Sequence, residues 1–255
     1  MKGKAIYEPK GAAAEYAKYA CNFHIGCSNS CTYCFNKRWG WGNVPKLKSC
    51  FKDENHALEV FEKELKANLP ELQKHGVFFS FTTDPMLNRT IDLTYKAVNI
   101  CVENCVPVKI LTKRAEWVYQ LWVSPIPKLI SFGFTLTGHD DLEPNASTNA
   151  ERIEAMRKLH EAGFKTWASV EPVIDFVSSA EMMRQTHGFC DLYKVGLLKG
   201  KNYDKWECEN FISYCLIEFE NSKIYFKESI LKQAGISRLD LPGNCVDRNF
   251  NIREL

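Results

Sequence analysis

The 255-residue sequence contains no uncharged apolar run of the roughly 18 residues that a membrane-spanning helix needs. It also lacks low-complexity stretches, blocks of like charge, and any linker rich in Pro, Gly and Ser. The first ten residues, from Met1 to Lys10, hold no apolar signal-peptide core. From these absences we expect a soluble, cytoplasmic protein that has no membrane partner.

Excess charge of either sign is also absent. The 33 Lys and Arg residues nearly balance the 31 Asp and Glu residues, which leaves a formal net charge of +2. A charge this small does not attract the whole molecule to nucleic acid, although it permits a local basic groove. Nucleic acid therefore stays open as a partner but is not indicated by charge.

Cysteine, by contrast, is abundant. The chain has eleven cysteines, an odd number, and no export signal, which argues against a disulfide framework. In a reducing compartment, clustered thiols more often bind metal or carry out redox chemistry. Three of them, Cys27, Cys31 and Cys34, lie within eight residues of one another.

Short apolar runs alternate along the chain with segments of helical periodicity. The runs cover residues 20–25, 77–81, 108–112, 129–135, 165–170 and 192–196. Six β/α repeats predict a parallel sheet covered by helices, and six are fewer than the eight of a closed barrel. We therefore predict an α/β fold, a partial (β/α)6 barrel over residues 1–198, with a small C-terminal cap over residues 199–255. In this cap, residues 203–220 are predicted as a helix and 223–226 as a strand. Ligands of such a sheet bind at the carboxyl ends of its strands.

Local signals support several helix boundaries. Thr148 and Glu151 have the spacing of a capping box, and Gly76 and Gly163 mark helix ends just before strands.

Six of the cysteines outside the cluster are predicted to pack in the core. Cys101 and Cys105 are four residues apart on the apolar face of a predicted helix. The wide spacing of the later cysteines favours packing over an auxiliary cluster; these are Cys190, Cys208, Cys215 and Cys245.

The pattern Cys-x3-Cys-x2-Cys directly follows the first predicted strand. Three thiolates can bind three irons of a cubic iron–sulfur cluster, and no fourth cysteine follows at a suitable spacing, so one iron would lack a protein ligand. An open metal position is typical of a catalytic site rather than a structural one. Gly26 allows the chain to turn sharply out of the strand.

Two other metal or redox sites fit the same residues. With His24 the group becomes a Cys3His zinc site, and Cys31 with Cys34 alone resembles a thioredoxin-like dithiol. Spacing favours the cluster, because His24 alternates with apolar neighbours in a strand pattern and a dithiol leaves Cys27 unexplained.

The zinc alternative describes a non-catalytic module that binds nucleic acid. Its contacts would come from Lys37, Arg38 and the tryptophans of the Trp39-Gly40-Trp41-Gly42 segment. The same segment could instead cap the mouth of the barrel, which is the interpretation that we favour.

Further motifs lie before and after the three cysteines. They are Glu-Tyr-Ala at 15–17, Asn-Phe-His-Ile-Gly-Cys at 22–27, Thr-Asp-Pro at 83–85, Pro-Val-Lys-Ile-Leu-Thr-Lys at 107–113, Glu143-Pro144 ahead of Arg152, and Lys-Leu-His-Glu-Ala-Gly at 158–163. Together they resemble the spore-photoproduct-lyase-like branch of the radical S-adenosylmethionine (SAM) superfamily, over roughly residues 11–198.

The resemblance implies a cofactor and a reaction. Cys27, Cys31 and Cys34 would bind a [4Fe–4S] cluster whose open iron chelates SAM. An electron, from a donor such as flavodoxin or ferredoxin, would cleave SAM to a 5′-deoxyadenosyl radical that takes hydrogen from a substrate.

The resemblance also implies the surroundings of SAM. Tyr33 would lie near the adenine; Ser80, Thr82, Thr83 and Asp84 near the amino group and ribose; Lys113 and Arg152 near the carboxylate; and Ser131 near the ribose.

The sequence departs from this branch in two places. The lyases carry a cysteine hydrogen donor just before the Thr-Asp pair, whereas residues 79–82 here hold no thiol. Tyr95 or another cysteine is the candidate replacement. Glu171, a carboxylate at the end of the fifth strand, is the second catalytic candidate, for binding substrate or SAM. We do not predict DNA repair, and nucleotide, peptide and small metabolite stay open as substrates.

Overall fold

The computed structural model describes residues 4–39, 47–120 and 127–255. Its strands are β1 (Ile6–Tyr7), β2 (Ala20–Cys21), β3 (His24–Ile25), β4 (Lys48–Ser49), β5 (Val77–Phe79), β6 (Val108–Thr112), β7 (Ile130–Thr135), β8 (Lys165–Val173), β9 (Leu192–Leu197) and β10 (Lys223–Phe226). Its α-helices are α1 (Glu54–Ala67), α2 (Leu69–His75), α3 (Ile91–Glu103), α4 (Asn149–Glu161), α5 (Phe176–Thr186), α6 (Lys205–Glu218) and α7 (Glu228–Ala234).

The main sheet has the strand order β1-β2-β5-β6-β7-β8-β9-β10. β1 is antiparallel to β2, and every other neighbouring pair is parallel. This mostly parallel sheet with crossover helices confirms the predicted α/β class. None of the helices in the described ranges is long and apolar enough to cross a membrane.

The sheet continues beyond residue 198, where we predicted the core to end. β10 pairs in parallel with β9, with Ile224 opposite Tyr193. Residues 199–255 therefore extend the sheet by a further strand rather than only covering it. The division of the chain at residue 198 into core and cap stays a prediction.

The first predicted strand, residues 20–25, is divided in two. β2 joins the main sheet, whereas β3 pairs with β4 in a separate two-stranded ribbon. Between them the side chain of Asn22 accepts hydrogen bonds from the N–H groups of Phe81 (2.9 Å) and Thr82 (3.3 Å). The strand ladder is broken here because a side chain, not the backbone, satisfies these donors.

The helix boundaries follow the local signals. Thr148 and Glu151 form the predicted capping box of α4, and Gly76 ends α2 with a φ of 73°. The prediction for Cys101 is confirmed, since it is fully buried in α3. The prediction for Cys105 is wrong: α3 ends at Glu103, and Cys105 lies exposed beyond it, with a φ of 56°.

Two apolar clusters flank the sheet, one of them beneath the helices. The other, which we call the inner cluster, comprises Tyr16, Ala17, Ala20, Phe78, Trp167, Leu192, Tyr225 and Ile252. Its members come from both terminal segments as well as from the strands. At Gly133 of β7 a Cβ atom would lie 2.1 Å from the Trp167 ring, so this position has room only for glycine.

Candidate functional site

The cysteine loop, residues 26–34, begins with a turn that its glycine permits. Gly26 has a φ of 97°, and its N–H donates to the carbonyl oxygen of Thr82 (3.0 Å). Thr82 lies just beyond the carboxyl end of β5, where ligands of a parallel sheet bind. Cys31 is buried, and Cys27 and Cys34 are half-buried. The sequence motif is therefore placed at the predicted end of the sheet.

Asp84 joins this loop to the sheet. Its Oδ2 accepts hydrogen bonds from the Asn29 amide and the Lys113 N–H (both 2.8 Å). Its Oδ1 accepts from the Thr112 hydroxyl (2.6 Å) and the Met86 N–H (3.0 Å). One buried carboxylate thus fixes the cysteine loop against the end of β6.

A second segment, residues 142–145, holds the loop from the other side. The Thr32 N–H donates to Leu142 O (2.9 Å), and the Asn145 N–H donates to Asn29 O (3.3 Å). The Tyr33 hydroxyl donates to the Glu143 carboxylate. The loop is anchored on both sides by the protein itself.

Arg152, predicted near the SAM carboxylate, is fully buried behind this segment. Its guanidinium pairs with the buried carboxylate of Glu143 and donates to Thr135 O (2.6 Å). The observed partner of Arg152 is therefore Glu143, which in turn holds Tyr33.

Burial raises the pKa of two thiols of the loop, Cys27 and Cys31. Burial, with the charge of Asp84 adding to it, raises the pKa of Cys27 to about 12. Burial likewise raises the pKa of Cys31, although Lys113 opposes this. Burial alone would lower the pKa of Lys113, but Cys31, Glu143 and Asp84 raise it above its ordinary value. Lys113 is the cation that opposes the rise in pKa at both Cys27 and Cys31.

Several buried polar atoms in this region have no partner among the described residues. They are Oδ1 of Asn29, Oδ1 of Asn36 and Oγ1 of Thr83. Buried polar atoms are rarely left unpaired in proteins, so three in one loop region indicate a place for a polar group beyond those of the described residues. In the described ranges, no three His, Cys, Asp or Glu side chains converge on one metal-ion position. In a cubic cluster each thiolate binds its own iron, so that site does not require convergence on a single ion.

The other predicted SAM neighbours lie in different places. The Ser80 hydroxyl donates to Thr83 O (2.7 Å) and the Thr82 hydroxyl to His24 O (2.5 Å), so both stabilise the turn beside the loop. Ser131 is the second residue of β7, near the end opposite to the cysteine loop, and donates to Val108 O (3.3 Å). The structure does not bring Ser131 together with the others.

The two predicted catalytic residues are also separate. Tyr95 lies on α3, packed against the core beneath the helices, and burial raises its pKa to about 12. Glu171 pairs with Lys227 (2.7 Å) and accepts a hydrogen bond from the Tyr16 hydroxyl.

Sequence reasoning missed the charged network around Glu171. Lys227 is buried and also pairs with Glu15 (3.4 Å). Lys194 is buried beside it and donates to Glu15 O (2.7 Å). The available signal was a lysine directly after the predicted strand 223–226, but nothing local indicates its partner. The Gly40-Trp41-Gly42 part of the predicted aromatic loop lies outside the described residues.

The chain can now be compared with known proteins. No family model matches the chain. It is 27% identical over 200 residues to an uncharacterized protein of Methanocaldococcus jannaschii, covering 72% of each chain. A double mutant of spore photoproduct lyase, solved with bound AdoMet (SAM) and dinucleoside spore photoproduct, superposes with a TM-score of 0.62 over 94% of this chain at 18% identity.

The chain has the spore photoproduct lyase fold. A second lyase structure, complexed with dinucleoside spore photoproduct, gives a TM-score of 0.59 at 19% identity over the same 94%. The chain spans about two thirds (66%) of the length of both lyases. The fold predicted from the cysteine motif and its accompanying motifs is thereby confirmed.

Proposed function

We propose that this chain is a radical SAM enzyme. Cys27, Cys31 and Cys34 would hold a [4Fe–4S] cluster, and SAM would bind at its open iron. The observation that carries the proposal is a loop of three thiols at the carboxyl end of the sheet in a spore photoproduct lyase fold, beside buried polar atoms that no described residue pairs with. The AdoMet named in the lyase structure supports the same assignment.

When bound, the cluster would supply the electron for reductive cleavage of SAM, and the 5′-deoxyadenosyl radical so formed would abstract hydrogen from the substrate. The residues of this chain would bind and orient SAM. Thr83 and Asn36 would donate or accept hydrogen bonds toward SAM through their unpaired atoms. Asp84 would act indirectly, because its oxygens already hold the cysteine loop and β6.

We assign the SAM carboxylate to Lys113 rather than to Arg152. Arg152 is fully enclosed and bonded to Glu143 and Thr135. Among the described residues, the Lys113 ammonium makes a single hydrogen bond, of 3.4 Å to the Thr135 hydroxyl, and its Nζ lies 5.6 Å from the centre of the Tyr33 ring. Its charge is therefore available beside the residue that we propose for the adenine.

We assign Glu171 to substrate binding. Its side chain is 23% exposed although Lys227 and Tyr16 bind it. Tyr95 stays a prediction as hydrogen donor, since its position on α3 adds no support. We further propose a cytoplasmic enzyme that receives electrons from a flavodoxin or ferredoxin.

The test is an anaerobic assay of the full chain reconstituted with iron and sulfide. After reduction with dithionite, SAM is added and 5′-deoxyadenosine is measured. We expect about four irons per chain and SAM cleavage that is lost in Cys27→Ala. Cys105→Ala is the matched control, because this exposed thiol lies outside the loop. About one zinc per chain and no cleavage under any reduction would instead establish the zinc module.

A further inference from the structure

A small cavity adjoins the cysteine loop at Ser28. It has a volume of about 120 Å³ and is lined by Ser28, Leu47, Leu87, Asn88, Arg89 and Arg114. A single water requires roughly 10–15 Å³ on this measure, so the cavity has room for a polyatomic group. Ser28 follows Cys27 and Arg114 follows Lys113, which places the cavity against the segments that we propose to hold the cofactor.

Arg114 is held rigidly in the wall of this cavity. Its guanidinium pairs with Glu116 and donates from Nη1 to Asn145 O (2.5 Å). The Glu116 carboxylate also accepts a hydrogen bond from the Ser147 hydroxyl (3.0 Å). Glu116 therefore neutralises the charge of Arg114.

Arg89 supplies the unbalanced charge. It is exposed, and it makes no hydrogen bond or ion pair with any residue in the described ranges. The exposed Asn88 amide and Ser28 hydroxyl lie in the same lining and add neutral donors from two different segments. The lining thus carries one net positive charge. It also has neutral hydrogen-bond donors from two segments, and two leucines form its apolar part.

We propose that this cavity binds a phosphate group of the substrate. A guanidinium fork with additional donors around it suits a tetrahedral anion that has several oxygens. The leucines would contact the carbon atoms next to the phosphate. As an assignment of substrate class, the proposal rests on the proposed function, but the binding itself requires neither cluster nor SAM.

The test measures binding of small anions to the full chain by NMR titration in phosphate-free buffer at low ionic strength. The probes are inorganic phosphate, dimethyl phosphate and acetate. Dimethyl phosphate represents the diester of a nucleic-acid backbone, and acetate represents the carboxylate of SAM. We expect saturable phosphate binding that Arg89→Gln weakens about tenfold. Arg248→Gln, which removes another exposed arginine, is the control and should change binding less than twofold.

Each outcome of the titration either supports or overturns the proposal. Arg89-dependent binding of inorganic phosphate alone supports a terminal phosphate, and equal binding of dimethyl phosphate supports a backbone diester. Equal binding of acetate, binding unaffected by Arg89→Gln, or no binding to the native chain overturns it. Those last results leave the 5′-deoxyadenosine assay untouched, so this proposal can fail while the proposed function stands.

Discussion

The carboxylate of Asp84 serves three segments of the chain at once. It accepts hydrogen bonds from Asn29 in the cysteine loop, from Thr112 and Lys113 at the end of β6, and from Met86 in its own turn. A carboxylate suits this position because all four partners are donors and both of its oxygens accept.

Replacing Asp84 by Asn tests this arrangement at constant size. One oxygen becomes an NH2 group, which faces two donors and can accept from neither. We expect the free energy of unfolding of the metal-free chain to fall by about 2–3 kcal/mol, measured in urea. Asp92→Asn, an exposed change on α3, should stay within about 0.5 kcal/mol. Equal effects of the two variants would contradict the role of Asp84.

Lys109 gives a pH-dependent prediction. It lies on β6 opposite Phe78, and burial, with the charge of Arg253, lowers its pKa from 10.5 to about 8. The unfolded chain therefore binds this proton more tightly than the folded chain between pH 8 and 10.5. The cost to stability is fully present below pH 8 and disappears as the pH rises through that window.

Lys109→Met should consequently stabilise the chain by about 1 kcal/mol at pH 7, a figure reduced to allow for partial exposure. The gain should vanish by the upper end of the window. The measurement is the difference in unfolding free energy between variant and native chain from pH 7 to 10.5. Lys63→Met, on the exposed surface of α1, should give a flat difference. A flat profile for Lys109→Met as well would refute the assignment.

At the scale of elements, α4 shows how local signals determine a boundary. Thr148 accepts a hydrogen bond from the Glu151 N–H (3.2 Å), and the Glu151 carboxylate accepts one from the Thr148 N–H (2.7 Å). α4 also carries Arg152, so its first turn positions the pair with Glu143 behind the cysteine loop.

Thr148→Ala should lower the free energy of unfolding by about 1 kcal/mol, because it leaves helix N–H groups without a partner. Urea denaturation of this variant beside Glu154→Ala checks the prediction. Glu154 lies on the same helix away from the cap, and its exposed ion pair with Arg157 contributes little. A loss in Glu154→Ala as large as that in Thr148→Ala would show that the cap is not its source.

The elements that the sequence predicts well are those with local causes. β6 has the same bounds as the predicted apolar run, residues 108–112. Gly76 ends α2 because glycine readily adopts the positive φ that this position requires. The first strand is different, since its division depends on Asn22 reaching Phe81 across the sheet. A contact between residues 59 positions apart leaves no periodic signal in either segment.

At the scale of the whole molecule, the candidate site also has one part that the sequence predicts and another that it does not. Spacing alone indicates Cys27, Cys31 and Cys34, because the three thiols are close in the chain. The pairing of Glu171 with Lys227 joins residues 56 positions apart and becomes visible only in the folded sheet. Sequence reasoning therefore finds the three cysteines of the loop and misses the charged network.

The inner cluster makes the last residues part of the barrel. Ile252 is 1% exposed and packs with Trp167, Leu192 and Tyr225. Ile252→Ala should therefore cost about 2–4 kcal/mol of unfolding free energy, as truncation in a packed core does. Leu239→Ala is the control, since Leu239 is 94% exposed. A loss in Ile252→Ala no larger than in the control would mean that the terminal segment does not support the barrel.

The double anchoring of the cysteine loop has a consequence for the order in which the fold and the proposed cluster would form. In a zinc finger the metal builds the fold, so the ion and the folded state appear together. Here Asp84 on one side and Leu142 and Glu143 on the other hold the loop through the chain's own hydrogen bonds. Insertion of the proposed cluster would then follow folding of the chain. A cell short of iron would then accumulate folded, idle protein that is ready to be activated, rather than unfolded protein that is destined for degradation.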